Sequence, residues 1–153
     1  MSHKQIVDWC RDNDVWYLKM DIEIPEVCIQ EAQAVYDEGF FVEHRFGNGG
    51  HGGWKSASIH SFVEKGKDLD MGWFHTKNPE GHGLREDQVD WGWTEIAEVC
   101  PETKRWLEDF PHKSYRRLRF MLLEPGASID AHNDASPQRV REGRIRKLHW
   151  FLV

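Results

Sequence analysis

Alternating apolar and polar positions along the chain predict short strands, and helical spacing of apolar positions predicts the helices between them. In the first part of the chain we expect a short helix over residues 4–12 and a loosely alternating strand over residues 15–24. Pro25 suits the first turn of a longer helix, which continues to about Glu38 and stops at Gly39, where a glycine favours termination.

A glycine-rich segment, residues 47–53, requires a loop or tight turn. Residues 64–93 are expected to be mostly irregular. Residues 94–110 have helical spacing with Thr94 as the cap, and Pro101 either interrupts this helix or begins its second half. Period-two alternation predicts four further strands, over residues 40–46, 54–62, 114–123 and 144–153.

Length and composition favour a single folded domain over residues 1–153. Hydrophobic residues make up 39% of the chain and charged residues 30%, a balance typical of a globular domain with a polar surface. The net charge of −6 and the lack of a long basic run argue against a general nucleic-acid-binding protein. No segment has the apolar length of a membrane span, and the N-terminus has no apolar secretory region.

The three cysteines, Cys10, Cys28 and Cys100, are widely spaced and form no CxxC pair. An odd number of dispersed cysteines fits reduced thiols better than a disulfide framework. We therefore expect a cytoplasmic protein in which these residues act as small hydrophobic side chains of the core.

The most regular strand, residues 114–123, leads through the turn signal Glu124-Pro125-Gly126 to the pair His132-x-Asp134. Side chains two positions apart on an extended segment point the same way, so these two could bind one metal ion. Neutral imidazole and carboxylate together suit Fe(II). The pair by itself is a weak signal, since the chain has 9 histidines, and a surface loop is the alternative interpretation.

The surroundings of the pair strengthen the metal interpretation. They resemble the 2-oxoglutarate-dependent dioxygenases, specifically the branch of the aspartyl/asparaginyl β-hydroxylases and bacterial proline hydroxylases. The resemblance rests on an arginine-containing strand, a Pro-Gly turn, an isoleucine, the His-x-Asp pair and a later basic residue with a histidine two positions on: Arg117, Arg119, Pro125, Gly126, Ile129, His132, Asp134, Lys147 and His149. Lysine at position 147 departs from the family, where arginine is more usual.

This resemblance implies an α+β fold with a double-stranded β-helix, a cupin-like jelly-roll, and N-terminal helices packed outside it. His132 and Asp134 would bind Fe(II) and act as the catalytic ligand pair, and Lys147 and His149 would line the 2-oxoglutarate pocket. The family couples decarboxylation of 2-oxoglutarate to hydroxylation of a C–H bond. The expected substrate is a small amino acid or a peptide side chain.

The chain lacks the distal histidine of the family and the arginine that follows it. We therefore expect an incomplete barrel, the N-terminal portion of an oxygenase. A bare two-ligand site would bind iron weakly, and the chain is then either an active hydroxylase or an inactive fragment. The open strand edges of such a barrel would need cover, for example from a second copy in a homo-oligomer. The alternative from another functional class is a non-catalytic cupin-like binding module with a vestigial metal site.

Two further groups have a structural and a functional interpretation. His149 lies among bulky apolar residues, which is equally typical of a half-buried structural histidine and of the cosubstrate role. The basic cluster between Arg139 and Lys147 is most often a solvated loop, although it could also bind a small dianion.

Overall fold

The computed structural model describes residues 5, 8–9, 12–14, 22–43, 53–67, 74, 78–110, 112 and 114–129. The helices and strands named below belong to one compact unit, Pro25–Asp130. In chain order they are α1 (Glu26–Asp37), β1 (Val42–Glu43), β2 (Trp54–Glu64), two 3-10 helices (Pro79–His82 and Glu86–Gln88), β3 (Val89–Trp93), α2 (Ile96–Val99), α3 (Pro101–Asp109) and β4 (Leu118–Leu123).

The unit has an α+β fold with a four-stranded antiparallel sheet, as the sequence predicted at this level. The long strand β2 is its centre. His60 pairs with Trp93 of β3 and with Leu118 of β4, so these two strands lie on opposite edges of β2. Lys55 likewise pairs with both β1 and β4. Strands β1 and β3 therefore share one edge of β2 at different heights, and β4 occupies the other edge.

Strand β2 is buried along most of its length on both faces, which explains its run of small and apolar residues. Directly paired residues of neighbouring strands share a face of the sheet. The register pairs Ser58 with Arg119 and Ala57 with Phe120, so β4 alternates as predicted, with Phe120 and Arg119 on opposite faces. The register shifts between Ser58 and His60, which identifies a β-bulge at this point.

Three helices pack together beside the sheet, with Cys28, Val35, Ile96, Cys100 and Leu107 buried in the core. Gly39, at φ +79°, ends α1 as predicted. Glu31 of α1 accepts hydrogen bonds from the backbone N–H groups of Glu102 (2.9 Å) and Thr103 (2.7 Å) and from the Thr103 hydroxyl (2.7 Å). A side chain of one helix therefore caps the N-terminus of another, α3.

Several local predictions need correction. Residues 64–93 are not mostly irregular where described, because they contain β3 and both 3-10 helices. The predicted helix over residues 94–110 divides at Cys100, and Pro101 begins its second half, α3. Thr94 is not a helix cap, because its hydroxyl donates to the Ser58 carbonyl (2.7 Å) beside the bulge. Strand β4 begins at Leu118, later than predicted.

Candidate functional site

The predicted site residues His132, Asp134, Lys147 and His149 lie outside the described residues, as does the basic cluster between Arg139 and Lys147. The described residues do include the strand and turn that precede His132 in the chain. The geometry that can be described is therefore that of strand β4 and the turn after it.

Strand β4 ends in a closed turn, as the Glu124-Pro125-Gly126 signal predicted. The Ala127 N–H donates to the Glu124 carbonyl (3.0 Å), and Gly126 has a φ of +83°. Glycine adopts this left-handed backbone conformation without the steric penalty that other residues incur. The chain therefore leaves β4 through a hydrogen-bonded turn and continues toward Ile129.

The start of β2 holds this turn in place. The Glu124 N–H donates to the Gly53 carbonyl (2.9 Å), and Lys55 Nζ lies 2.5 Å from Glu124 Oε1. The hydrogen bond to Glu124 raises the pKa of the Lys55 ammonium above its usual range, so Lys55 keeps its charge at neutral pH. Backbone and side-chain bonds thus join the same two segments.

Gly53 allows the two segments to approach closely. Its φ is +77°, and a Cβ atom built on it would lie 2.9 Å from the Ala127 Cβ and 3.1 Å from Glu124 Oε2. Real Cβ atoms essentially never come this close to another carbon, so any larger residue would displace the turn. The last glycine of the glycine-rich segment therefore has a specific packing role.

Arg117, just before β4, packs into the aromatic part of the unit. Its guanidinium lies 5.7 Å from the centroid of the Phe62 ring, and Nη2 donates to the Phe74 carbonyl (3.4 Å). Burial, and secondarily the charge of Arg119, lowers the pKa of Arg117 to about 10. The side chain stays protonated at neutral pH and carries its charge into the packed interior.

A second polar group, His60, is enclosed by aromatic residues. Its Nδ1 donates to the Arg116 carbonyl, and its ring makes an edge contact with Trp93 at a centroid distance of 5.1 Å. Tyr115 lies on another side and stacks on His112 at 3.8 Å. Burial lowers the pKa of His60, which favours the neutral imidazole. His60 is therefore a structural histidine, which links β2 to the residues just before β4.

The described part of the chain contains no group of three or more His, Cys, Asp or Glu side chains that could hold a metal ion. The imidazole of His132 and the carboxylate of Asp134, predicted from the sequence as Fe(II) ligands, lie outside these residues and stay a prediction. Within the same described residues, no helix is long and apolar enough to cross a membrane.

Sequence patterns did not predict the contacts around Gly53. Lys55 and Glu124 are 69 positions apart, and nothing in either local pattern indicates that they pair. The one available signal was a glycine at the boundary between a loop and a strand, which is typical of a close backbone approach.

Comparisons of the chain with protein-family models, curated proteins and solved structures found no match.

Proposed function

We propose that this protein is an Fe(II)- and 2-oxoglutarate-dependent hydroxylase of the aspartyl/asparaginyl or prolyl type. His132 and Asp134 are two of its iron ligands, and Lys147 and His149 line the pocket for 2-oxoglutarate. The observation that best supports this proposal is the local structure that precedes His132 in the chain. A strand with an alternating pattern ends in a closed Pro-Gly turn, which is the local structure that the family resemblance requires before its His-x-Asp pair.

The proposed fold around this site is a jelly-roll, in which a second sheet packs on the one described. Met121 and Leu123, on the same face as Arg119, are 42% and 47% exposed, and Val42 on that face is 42% exposed. Large apolar residues grouped on one face of a sheet favour a further layer over it. The packing of the helices beside the sheet supports an outer helical layer in this proposed fold.

Bound Fe(II), with 2-oxoglutarate and oxygen, supplies the chemistry that inserts an oxygen atom into a C–H bond. The protein's own residues would bind the iron and orient the cosubstrate. The neutral imidazole of His132 and the carboxylate of Asp134 would hold the cation through their lone pairs and leave other positions for cosubstrate. Lys147 and His149 would line the pocket for 2-oxoglutarate, where the ammonium of Lys147 would supply a positive charge for a carboxylate of the cosubstrate.

The proposed substrate is an amino acid or a peptide side chain, and the proposed compartment is the cytoplasm. Cys28 and Cys100 are free and buried, which agrees with their predicted role in the core and supports a reducing environment. The acidic net charge supports a substrate other than nucleic acid. A homo-oligomer that covers open strand edges remains part of the proposal.

Formation of succinate from 2-oxoglutarate, in the presence of Fe(II) and ascorbate, tests the enzymatic proposal. We expect the wild-type chain to form succinate above the rate without protein, and the double variant His132→Ala, Asp134→Ala to lose this activity. His112→Ala is the matched control, because His112 is exposed and is not one of the proposed site residues. Succinate at the protein-free rate would instead favour the non-catalytic cupin-like module, whose metal site is vestigial.

A further inference from the structure

We propose that the outer edge of β3 is a docking site for an extended basic peptide, which adds to the sheet as a further strand. The edge supplies backbone hydrogen-bonding groups. Trp91 and Trp93 supply apolar contacts on one face of it, and Asp90 supplies a negative charge on the other. Peptide docking here does not depend on the proposed iron site, and its test needs no metal.

The hydrogen bonds between β2 and β3 determine which backbone groups of β3 point outward. The Thr94 N–H donates to the Ile59 carbonyl (3.1 Å), and the Lys65 N–H donates to the Gln88 carbonyl (2.8 Å). Residues of an antiparallel strand alternate between bonding to the partner strand and pointing away from it. The backbone groups that point away from β2 therefore belong to three alternate residues: Val89, Trp91 and Trp93.

This outer edge has the form of a template for strand addition. Among the described residues, no strand lies beside it. A strand edge that presents N–H and C=O groups can pair with another extended segment. In peptide recognition by strand addition, such main-chain bonds supply affinity, and alternate side chains supply specificity.

The side chains of β3 give the two faces of this edge different characters. Trp91 and Trp93 alternate with Asp90 and Gly92, so the two tryptophans share one face of the sheet. Both tryptophans are half-buried, whereas Asp90 on the other face is exposed. Because Gly92 has no side chain, a long basic side chain of an added strand can lie over it and reach the Asp90 carboxylate.

The charge around the edge favours a basic partner. Residues 86–98 contain no lysine or arginine, and they include these exposed acidic residues: Glu86, Asp87, Asp90, Glu95 and Glu98. Glu86 already pairs with Arg116 (3.3 Å). Asp87 already pairs with Arg85 (3.1 Å). Asp90 lies on β3 itself, where a basic residue on an added strand would form a favourable cross-strand pair.

A second copy of this chain fits this particular edge poorly. Antiparallel pairing of β3 with β3 would bring the acidic flanks of both copies side by side, and like charges across strands are destabilising. The same repulsion disfavours an acidic peptide. A peptide with basic residues at alternate positions instead meets Asp90 on one face and the tryptophans on the other.

The probe is a capped peptide of about seven residues in which valine and lysine alternate. Peptide residues directly opposite Trp91 and Trp93 share their face and bond to them, so we expect valines there and lysines on the face of Asp90. Methylation of the valine nitrogens should abolish binding in calorimetry, because it removes the donors to β3. Methylation of the lysine nitrogens, which point away from β3, should change the affinity by less than about twofold. The opposite order, or equal effects, would overturn the proposal.

Asp90→Lys and Glu38→Lys form a matched pair of variants with the same change of charge. Both residues are exposed, and Glu38 lies at the end of α1, outside β3 and its flanks. We expect Asp90→Lys to bind the peptide roughly 10-fold more weakly than Glu38→Lys, because an attractive cross-strand pair becomes repulsive. Asp90→Lys should instead bind the peptide in which glutamate replaces lysine. Equal affinities of the two variants for the lysine peptide would contradict docking at this edge.

Amide hydrogen exchange locates the bound peptide. In the free protein, the outward amides of β3 should exchange faster than those of Asp90 and Gly92, which bond to β2. The peptide should slow the outward amides selectively. Protection elsewhere in the chain, or outward amides that are already slow in the free protein, would overturn the proposal. Protection that rises with protein concentration would identify a second copy as the occupant and would also overturn it.

Discussion

His60 illustrates how a titratable residue is accommodated where three strands meet. It pairs with β3 and β4 at once, immediately after the bulge in β2. Desolvation is the main cause of its lowered pKa, and a smaller contribution comes from the neighbouring charge of His112. The hydrogen bond to the Arg116 carbonyl acts in the opposite direction. The fold therefore selects the neutral imidazole at this position.

Stability should consequently depend on pH through His60. Its pKa in the folded chain lies below the unfolded value of 6.5, so the unfolded chain binds the proton more readily. The free energy of unfolding is unaffected by this group above pH 6.5 and decreases as the pH falls through and below that value. Urea denaturation between pH 4.5 and pH 8, about the titration range of histidine, measures this slope.

The variant His60→Gln keeps an N–H donor but removes the titrating ring. It should be less stable than wild type by about 1–3 kcal/mol at neutral pH, because buried ring contacts are lost. Its loss of stability below pH 6.5 should be smaller than that of wild type. His112→Gln is the control and should keep most of the slope, and an unchanged slope in His60→Gln would refute the assignment.

At the scale of elements, the helices are joined by a charged cap. The N-cap position of α3 is Cys100, which offers no capping oxygen, and Pro101 occupies the first helical position. The carboxylate of Glu31 on α1 instead receives the free N–H groups of Glu102 and Thr103. A negative charge at a helix N-terminus is also favoured by the helix dipole.

Removal of this cap should destabilise the fold. We expect Glu31→Ala to lower the free energy of unfolding by about 1–2 kcal/mol, because the hydrogen-bond acceptor for α3 is lost. Glu31→Gln, which keeps one acceptor oxygen, should lose less. Chemical denaturation measures both changes, and Gln30→Ala on the exposed side of α1 is the control. A Glu31→Ala variant as stable as Gln30→Ala would contradict this role.

Local patterns predicted those elements whose formation depends on their own residues. Helix α1 with its stop at Gly39, the alternation of β4 and the turn after it all follow from periodicity and turn chemistry. The position of β3 was missed because Val89–Trp93 carries two tryptophans, an aspartate and a glycine, and its pairing with β2 determines its conformation. The partner of Thr94 likewise depends on a bulge that no local pattern indicates.

The same distinction between local patterns and long-range contacts applies to the candidate site. The residues proposed to carry the chemistry, His132 and Asp134, are predicted from motif and context in the sequence alone and lie outside the described residues. The contacts between the start of β2 and the turn after β4 were not predicted. Lys55 and Glu124, for example, are 69 positions apart in the sequence. Long-range pairs of this kind are set by the sheet register, which a single sequence does not reveal.

At the scale of the whole molecule, an antiparallel sheet with helices beside it precedes the proposed metal ligands, which follow the edge strand β4 in the chain. The sheet fixes β4, β4 and the start of β2 fix the turn, and the proposed ligands come next in the chain. Binding of Fe(II) by His132 and Asp134 is the claim on which the proposed activity depends.

Anaerobic calorimetric titration of Fe(II) into the wild-type chain and into His132→Ala, Asp134→Ala, with 2-oxoglutarate present, tests that claim most directly. We expect a saturable binding heat for the wild type and its loss in the double variant, because both proposed protein donors are removed. Equal Fe(II) affinity of the two proteins would contradict it.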